Sequence, residues 1–133
     1  MQHLPMMIAA LFLLLAAGCG KGEVELAEVT GTVTQDGEPL PRALVRFIPQ
    51  GDIGRPSTGV TEYDGSYRLL YSARDAGALI GEHRVEITTG DPEQPALYPE
   101  TVPAEFNIES TLVRTVEADN NVFNFEVTSI PET

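Results

Sequence analysis

The chain has 133 residues, with 20 acidic against 8 basic side chains and a formal net charge of −12 at neutral pH. That balance repels phosphate backbones and anionic head groups and excludes a nucleic-acid partner. One cysteine and two histidines are too few for a disulfide framework or a Cys/His metal cluster.

The first element is the apolar run from Met6 to Ala17, a dozen residues long. A membrane-spanning helix needs about 20. Small residues Ala16, Ala17 and Gly18 close the run immediately before the only cysteine, Cys19, as at the cleavage site of an export signal. The basic segment usual ahead of such a run is missing, since residues 1–5 carry only His3 and the terminal amine.

The stretch Leu15-Ala16-Ala17-Gly18-Cys19 resembles the lipobox of bacterial lipoproteins, with Ala16 where Leu is more common. The resemblance implies that diacylglycerol alkylates the Cys19 thiol, that the peptide is cut just before Cys19, and that the new amine is acylated. A single acyl chain holds a protein only marginally, whereas two or three give a stable anchor. The alternative is an ordinary secretory peptide followed by an incidental thiol. The expected division is a signal at 1–18, a lipidated terminus and short spacer at 19–27, and a domain at 28–130. Among lipoproteins an Asp after the cysteine accompanies inner-membrane retention. Gly20 stands there instead, which favours the outer membrane.

Beyond Lys21 no helical period is sustained. Short alternations broken by Gly, Pro, Asp and Asn predict strands. Val29 to Thr34 forms a first strand, and Asp36-Gly37 a tight turn after it. Ala43, Val45 and Phe47 share one face of a second strand. Ser57 to Thr61 gives a third, then a second Asp-Gly turn at Asp64-Gly65, then a fourth on which Tyr67, Leu69 and Tyr71 alternate. Glu82 to Thr89 is the fifth, Thr111 to Glu117 the sixth, and Phe123, Phe125 and Val127 mark the seventh. Seven short antiparallel strands predict an all-β sandwich, each sheet burying one face. Gly90 to Ser110, with four prolines that cannot donate to a ladder, is expected to be a long loop.

The segments Val29–Leu40 and Ala43–Phe47 look like the opening hairpin of carboxypeptidase regulatory-like domains. Thr61–Leu69 is similar to that family's next hairpin, and Gly77–Ile87 to the strand after it. Pro103–Leu112 and the ending Asn121–Phe125 resemble the close of the bacterial lipoprotein versions. The likeness spans roughly residues 28–128. It implies a transthyretin-like (prealbumin-like) seven-stranded Greek-key sandwich, with no cofactor and no activity of its own. Such domains usually serve as accessory, adhesive or scaffolding modules.

Each candidate site has a plainer reading beside it. Glu62 and Asp64 could offer oxygens to Ca²⁺, but two carboxylates fall short of the six to eight ligands such a site wants, and a hairpin turn is expected. His83 shares parity with Val85 and Ile87, so a packed histidine is expected rather than a ligand or base. Related urate-pathway hydrolases carry several histidines and end in Tyr-Arg-Gly-Ser, unlike this chain, which ends Ile130-Pro131-Glu132-Thr133. Intradiol dioxygenases hold iron with two His and two Tyr, and only His83 remains after processing. Tyr98 and Phe106, in the proline-rich loop, are either recognition anchors or covers for one end of the sandwich.

The expectation is therefore a non-enzymatic envelope lipoprotein, held to a membrane by the lipid on Cys19, whose domain outside the cytoplasm serves binding, adhesion or assembly. Its partner would be an envelope protein or a glycan. A carbohydrate- or cation-binding module is the runner-up, and a hydrolase ranks third.

Overall fold

A computed structural model describes residues 24–131. The export signal, Cys19 and the rest of the lipobox lie outside the described residues. Eleven strands and one 3-10 turn make up the described chain, which is essentially all-β.

The chain enters through a short strand, β1 (Leu26–Ala27), and continues directly into β2 (Val29–Gln35). Asp36 and Gly37 both adopt positive φ, 51° and 87°, the twist that a two-residue hairpin demands, and β3 (Glu38–Pro39) folds back on β2. The following strands are β4 (Leu44–Pro49), β5 (Ser57–Val60), β6 (Ser66–Arg68), β7 (Ala78–Leu79) and β8 (Gly81–Thr88). After a long connection come β9 (Val113–Val116), β10 (Asn121–Val122) and β11 (Phe125–Val127). The predicted strands are all present. The fourth and sixth are shorter than alternation suggested.

One sheet runs β5-β4-β8-β9, antiparallel throughout. The other is built on β2. Thr30 lies between Arg68 of β6 and Val122 of β10, and Thr34 between Pro39 of β3 and Glu126 of β11, so β2 is paired along both edges. β10 and β11 keep one register against β2 and form a single last strand, interrupted at Phe123-Asn124. There the Asn124 side chain accepts hydrogen bonds from the Thr32 backbone N–H and hydroxyl, both at 3.0 Å.

That last strand runs parallel to β2, which corrects the expectation of an all-antiparallel sandwich. The reason is topological. The first and last strands meet only after the chain has traversed the second sheet, and alternation within a strand carries no direction. A second difference concerns the spacer. β1 pairs with β7 and Ala27 is 6% exposed, so Leu26 and Ala27 are strand residues inside the stretch 19–27 expected to be a lipidated terminus and short spacer.

Between the sheets lie Val29, Val33, Val45, Phe47, Leu69, Val85, Ile87, Val116, Phe125 and Val127, all buried. Each contributes about 1.5–3 kcal/mol relative to exposure. The inward parity of β4, β8 and β11 is what the sequence alternation called for. Phe47 stacks on Phe123 at 5.8 Å and meets Phe125 edge-on at 6.2 Å.

The strand registers define two ends. At the entry end lie the start of β2, the ends of β4 and β6, the start of β8 and the loop 50–56. At the far end lie the β2–β3 hairpin, the 61–65 turn and the long connection after β8. β2 alone separates them by about 20 Å at 3.3 Å per residue.

Candidate binding surface

The long connection after β8 divides into two halves. Its second half is fastened to the sandwich. Pro103 opens a 3-10 turn, Ala104–Phe106, that presents Phe106 to the core as a partly buried side chain. Asn107 follows, 5% exposed. Its amide nitrogen lies 3.1 Å from the Ile87 carbonyl oxygen and 3.2 Å from those of Val102 and Pro103. The Ser110 hydroxyl donates to the Val85 carbonyl at 2.5 Å and accepts from the Leu112 N–H at 3.1 Å. Two small polar side chains thus satisfy β8 carbonyls that would otherwise be buried without partners.

The first half stands away from the core. Pro92, Pro95 and Pro99 remove backbone donors, and local bonds close the loop on itself. Tyr98 N–H donates to Gln94 O at 2.9 Å, and Asp91 N–H to Tyr98 O at 2.9 Å. Glu100 accepts at one oxygen from Thr89 N–H and hydroxyl, both 2.8 Å, and from Val102 N–H at 3.1 Å.

Tyr98 is half-buried, and its neighbour is a cation rather than the core. The Arg42 guanidinium lies 4.0 Å above the ring centroid. Such stacking contributes about 0.5–1 kcal/mol at an exposed site. Arg42 is held there by a left-handed backbone, φ 60°, and by its N–H donating to Thr61 O at 3.1 Å. Tyr98 lines a shallow cleft of about 350 Å³ with Arg42, Leu44, Val60, Thr88 and Pro92. A second, of about 300 Å³, adjoins it along Pro95, Pro99 and Glu100. Leu97 and Val60 are 68% and 59% exposed beside them.

The structure therefore separates the two aromatics that the sequence placed together. Phe106 covers the core, and Tyr98 faces outward at the far end. Arg42 was not legible as its companion. A Pro-Arg pair after a hairpin reads as part of the turn, and only the left-handed φ aims the side chain across the sheet.

The other candidates are occupied structurally. Asp64 accepts from the Ser66 hydroxyl at 2.6 Å and from its N–H at 3.0 Å, and these bonds hold its carboxyl below the usual range. His83 is 1% exposed, packed 5.7 Å from the Phe47 ring, with Nδ1 3.0 Å from the Gly81 carbonyl. That contact fixes the proton on Nδ1, and Nε2 has no hydrogen-bond partner among the described residues. Burial lowers the pKa of the ring, and the Gly81 carbonyl opposes this. A neutral imidazole bonded only to backbone has no relay partner for acid–base work. The Tyr67 hydroxyl donates to Phe123 O at 2.5 Å. Desolvation raises its pKa, with Arg114 acting the other way. Among the described residues no three His, Cys, Asp or Glu side chains come together as a metal site.

Comparison with family models, with curated proteins and with solved structures finds no match for this chain.

Proposed function

We propose that this protein is a bacterial envelope lipoprotein, anchored through acylated Cys19, whose β-domain binds a partner and does no chemistry of its own. The fold we infer is the transthyretin-like sandwich of the carboxypeptidase regulatory-like domains. Seven principal strands in two facing sheets support it: β2, β6 and the β10–β11 strand against β4, β5, β8 and β9.

The observation that carries the binding reading is the placement of Tyr98. It sits under Arg42 on the surface, beside exposed Leu97 and Val60, at the end remote from where the chain enters at Val24. An anchor at Cys19 leaves that end directed away from the lipid. Tyr and Arg are the side chains most often found at the energetic centres of interfaces. The guanidinium already covers one face of the ring, so a protein segment offering a carboxylate or carbonyls suits the site better than a sugar stacked on that face.

Two measurements test this. Radiolabelled palmitate should enter the wild-type protein and be absent from Cys19→Ala; label persisting in that variant refutes the anchor. Crosslinking in intact envelopes should yield an adduct that Tyr98→Ala and Arg42→Ala each weaken about tenfold while the melting temperature is nearly unchanged. An adduct insensitive to both substitutions refutes the binding site.

A further inference from the structure

The entry end carries its own exposed apolar surface. The loop 50–56 folds down on β7. Gly54, at φ 93°, passes so near that a Cβ there would stand 2.0 Å from Leu79 Cδ1. This throws Ile53 outward, 74% exposed. Ile80 is 40% exposed beside it, and its N–H donates to Glu25 O at 3.3 Å, which brings exposed Val24 to the same rim. Ile53, Leu79 and Ile80, with Pro49, border an open depression of about 470 Å³ whose inner wall is His83.

We infer that this rim rests on the bilayer that holds the lipid, with Ile53, Ile80 and Val24 entering the head-group layer. The inference depends on the anchor proposed above. Residues 20–23 separate Cys19 from Val24. However they are arranged, that link spans at most about 17 Å, five steps of 3.3–3.6 Å. Under that anchor, Val24 therefore stays within about 17 Å of the lipidated residue. Exposed aliphatic side chains held there partition about 5–10 Å into the interface, as the apolar face of an interfacial helix does. Exposed Glu25, Asp52 and Glu82 on or beside the rim set its preference toward zwitterionic over anionic lipid.

The chain contains no tryptophan, so one introduced indole reports alone. The full-length protein carrying Ile53→Trp, processed in a bacterial host, would be reconstituted into vesicles of phosphatidylcholine and phosphatidylethanolamine. Val60→Trp, at the opposite end, is the companion variant. Brominated acyl chains should lower Ile53→Trp emission roughly twofold, with a blue shift, and leave Val60→Trp unchanged. Mass spectrometry of the same sample reads acylation of Cys19. Acylated protein whose Ile53→Trp emission is insensitive to bromine overturns the inference and leaves the anchor standing. A blue shift without quenching assigns the rim to a second copy, and overturns it too. Unmodified Cys19 removes the anchor and this inference together.

Discussion

Replacing Gly31 by Ala tests how the two halves of the fold are joined. Gly31 sits mid-strand in β2, buried, opposite Tyr67 on one side and flanking the last strand on the other. A Cβ there would stand 1.8 Å from the Phe123 carbonyl oxygen and 2.8 Å from the Tyr67 hydroxyl. Ordinary contact begins near 3.4 Å, so the Phe123 carbonyl would have to retreat by about 1.6 Å. That movement breaks its bond from Tyr67, now 2.5 Å, and strains the Phe123 N–H bond to Thr30 O at 2.9 Å. Leaving the buried Tyr67 hydroxyl unpaired costs about 1–3 kcal/mol and the ladder bond about 1 kcal/mol more. Displacing Phe123 from Phe47 adds about 1 kcal/mol. The sum is about 3–5 kcal/mol, a large share of the 5–15 kcal/mol that holds a typical domain. Gly37→Ala is the control: φ is 87° but nothing lies within 4 Å, so the penalty is backbone strain alone, about 1 kcal/mol. Urea unfolding followed by circular dichroism compares the two. A Gly31→Ala protein that unfolds within 1 kcal/mol of wild type would refute the close-approach account, on the scale set by ordinary substitutions (~1 kcal/mol).

His83 makes stability fall in mild acid. Its folded pKa is lowered, so protons bind the unfolded chain preferentially. Stability is full above the unfolded value of about 6.5 and declines by up to about 1.4 kcal/mol per pH unit below it, until the folded pKa is passed. His83→Leu should flatten that limb in a pH series of urea midpoints. The Asn121 side chain bridges Glu117 N–H at 2.8 Å, Glu117 O at 2.8 Å and Glu28 O at 3.1 Å. Asn121→Ala should therefore cost about 2–3 kcal/mol by thermal melting, against near-neutrality if the turn is solvated. Phe106→Ala should lower stability by about 2–3 kcal/mol, whereas Tyr98→Ala should change it by under about 1 kcal/mol; equal losses would contradict the division of the loop.

Much of this fold was legible because a strand's two faces are written in its alternate letters. Val45 and Phe47, Val85 and Ile87, and Phe125 and Val127 all point inward, and His83 follows from its parity with Val85. The Asp36-Gly37 turn was legible for a similarly local reason. Strand direction across the sheet was not, because it is a relation between residues 92 positions apart, such as Val33 and Phe125. The buried amides were not legible either. Asn107 and Asn121 look like solvated loop residues, and only the carbonyls converging on each show their use. For the binding surface, the loop was visible in its prolines, but the partition between Tyr98 and Phe106 depended on which half β8 could fasten.

The parallel seam between β2 and the closing strand also bears on biogenesis. β3 and β6 can pair with one edge of β2 early, but its other edge closes only when Asn121 to Val127, 92 positions further along the chain, are available. Non-local closure of this sort is slow, on the order of milliseconds to seconds. A nascent chain stopped short of Asn121 would carry a bare β2 edge, ready to stick to its neighbours.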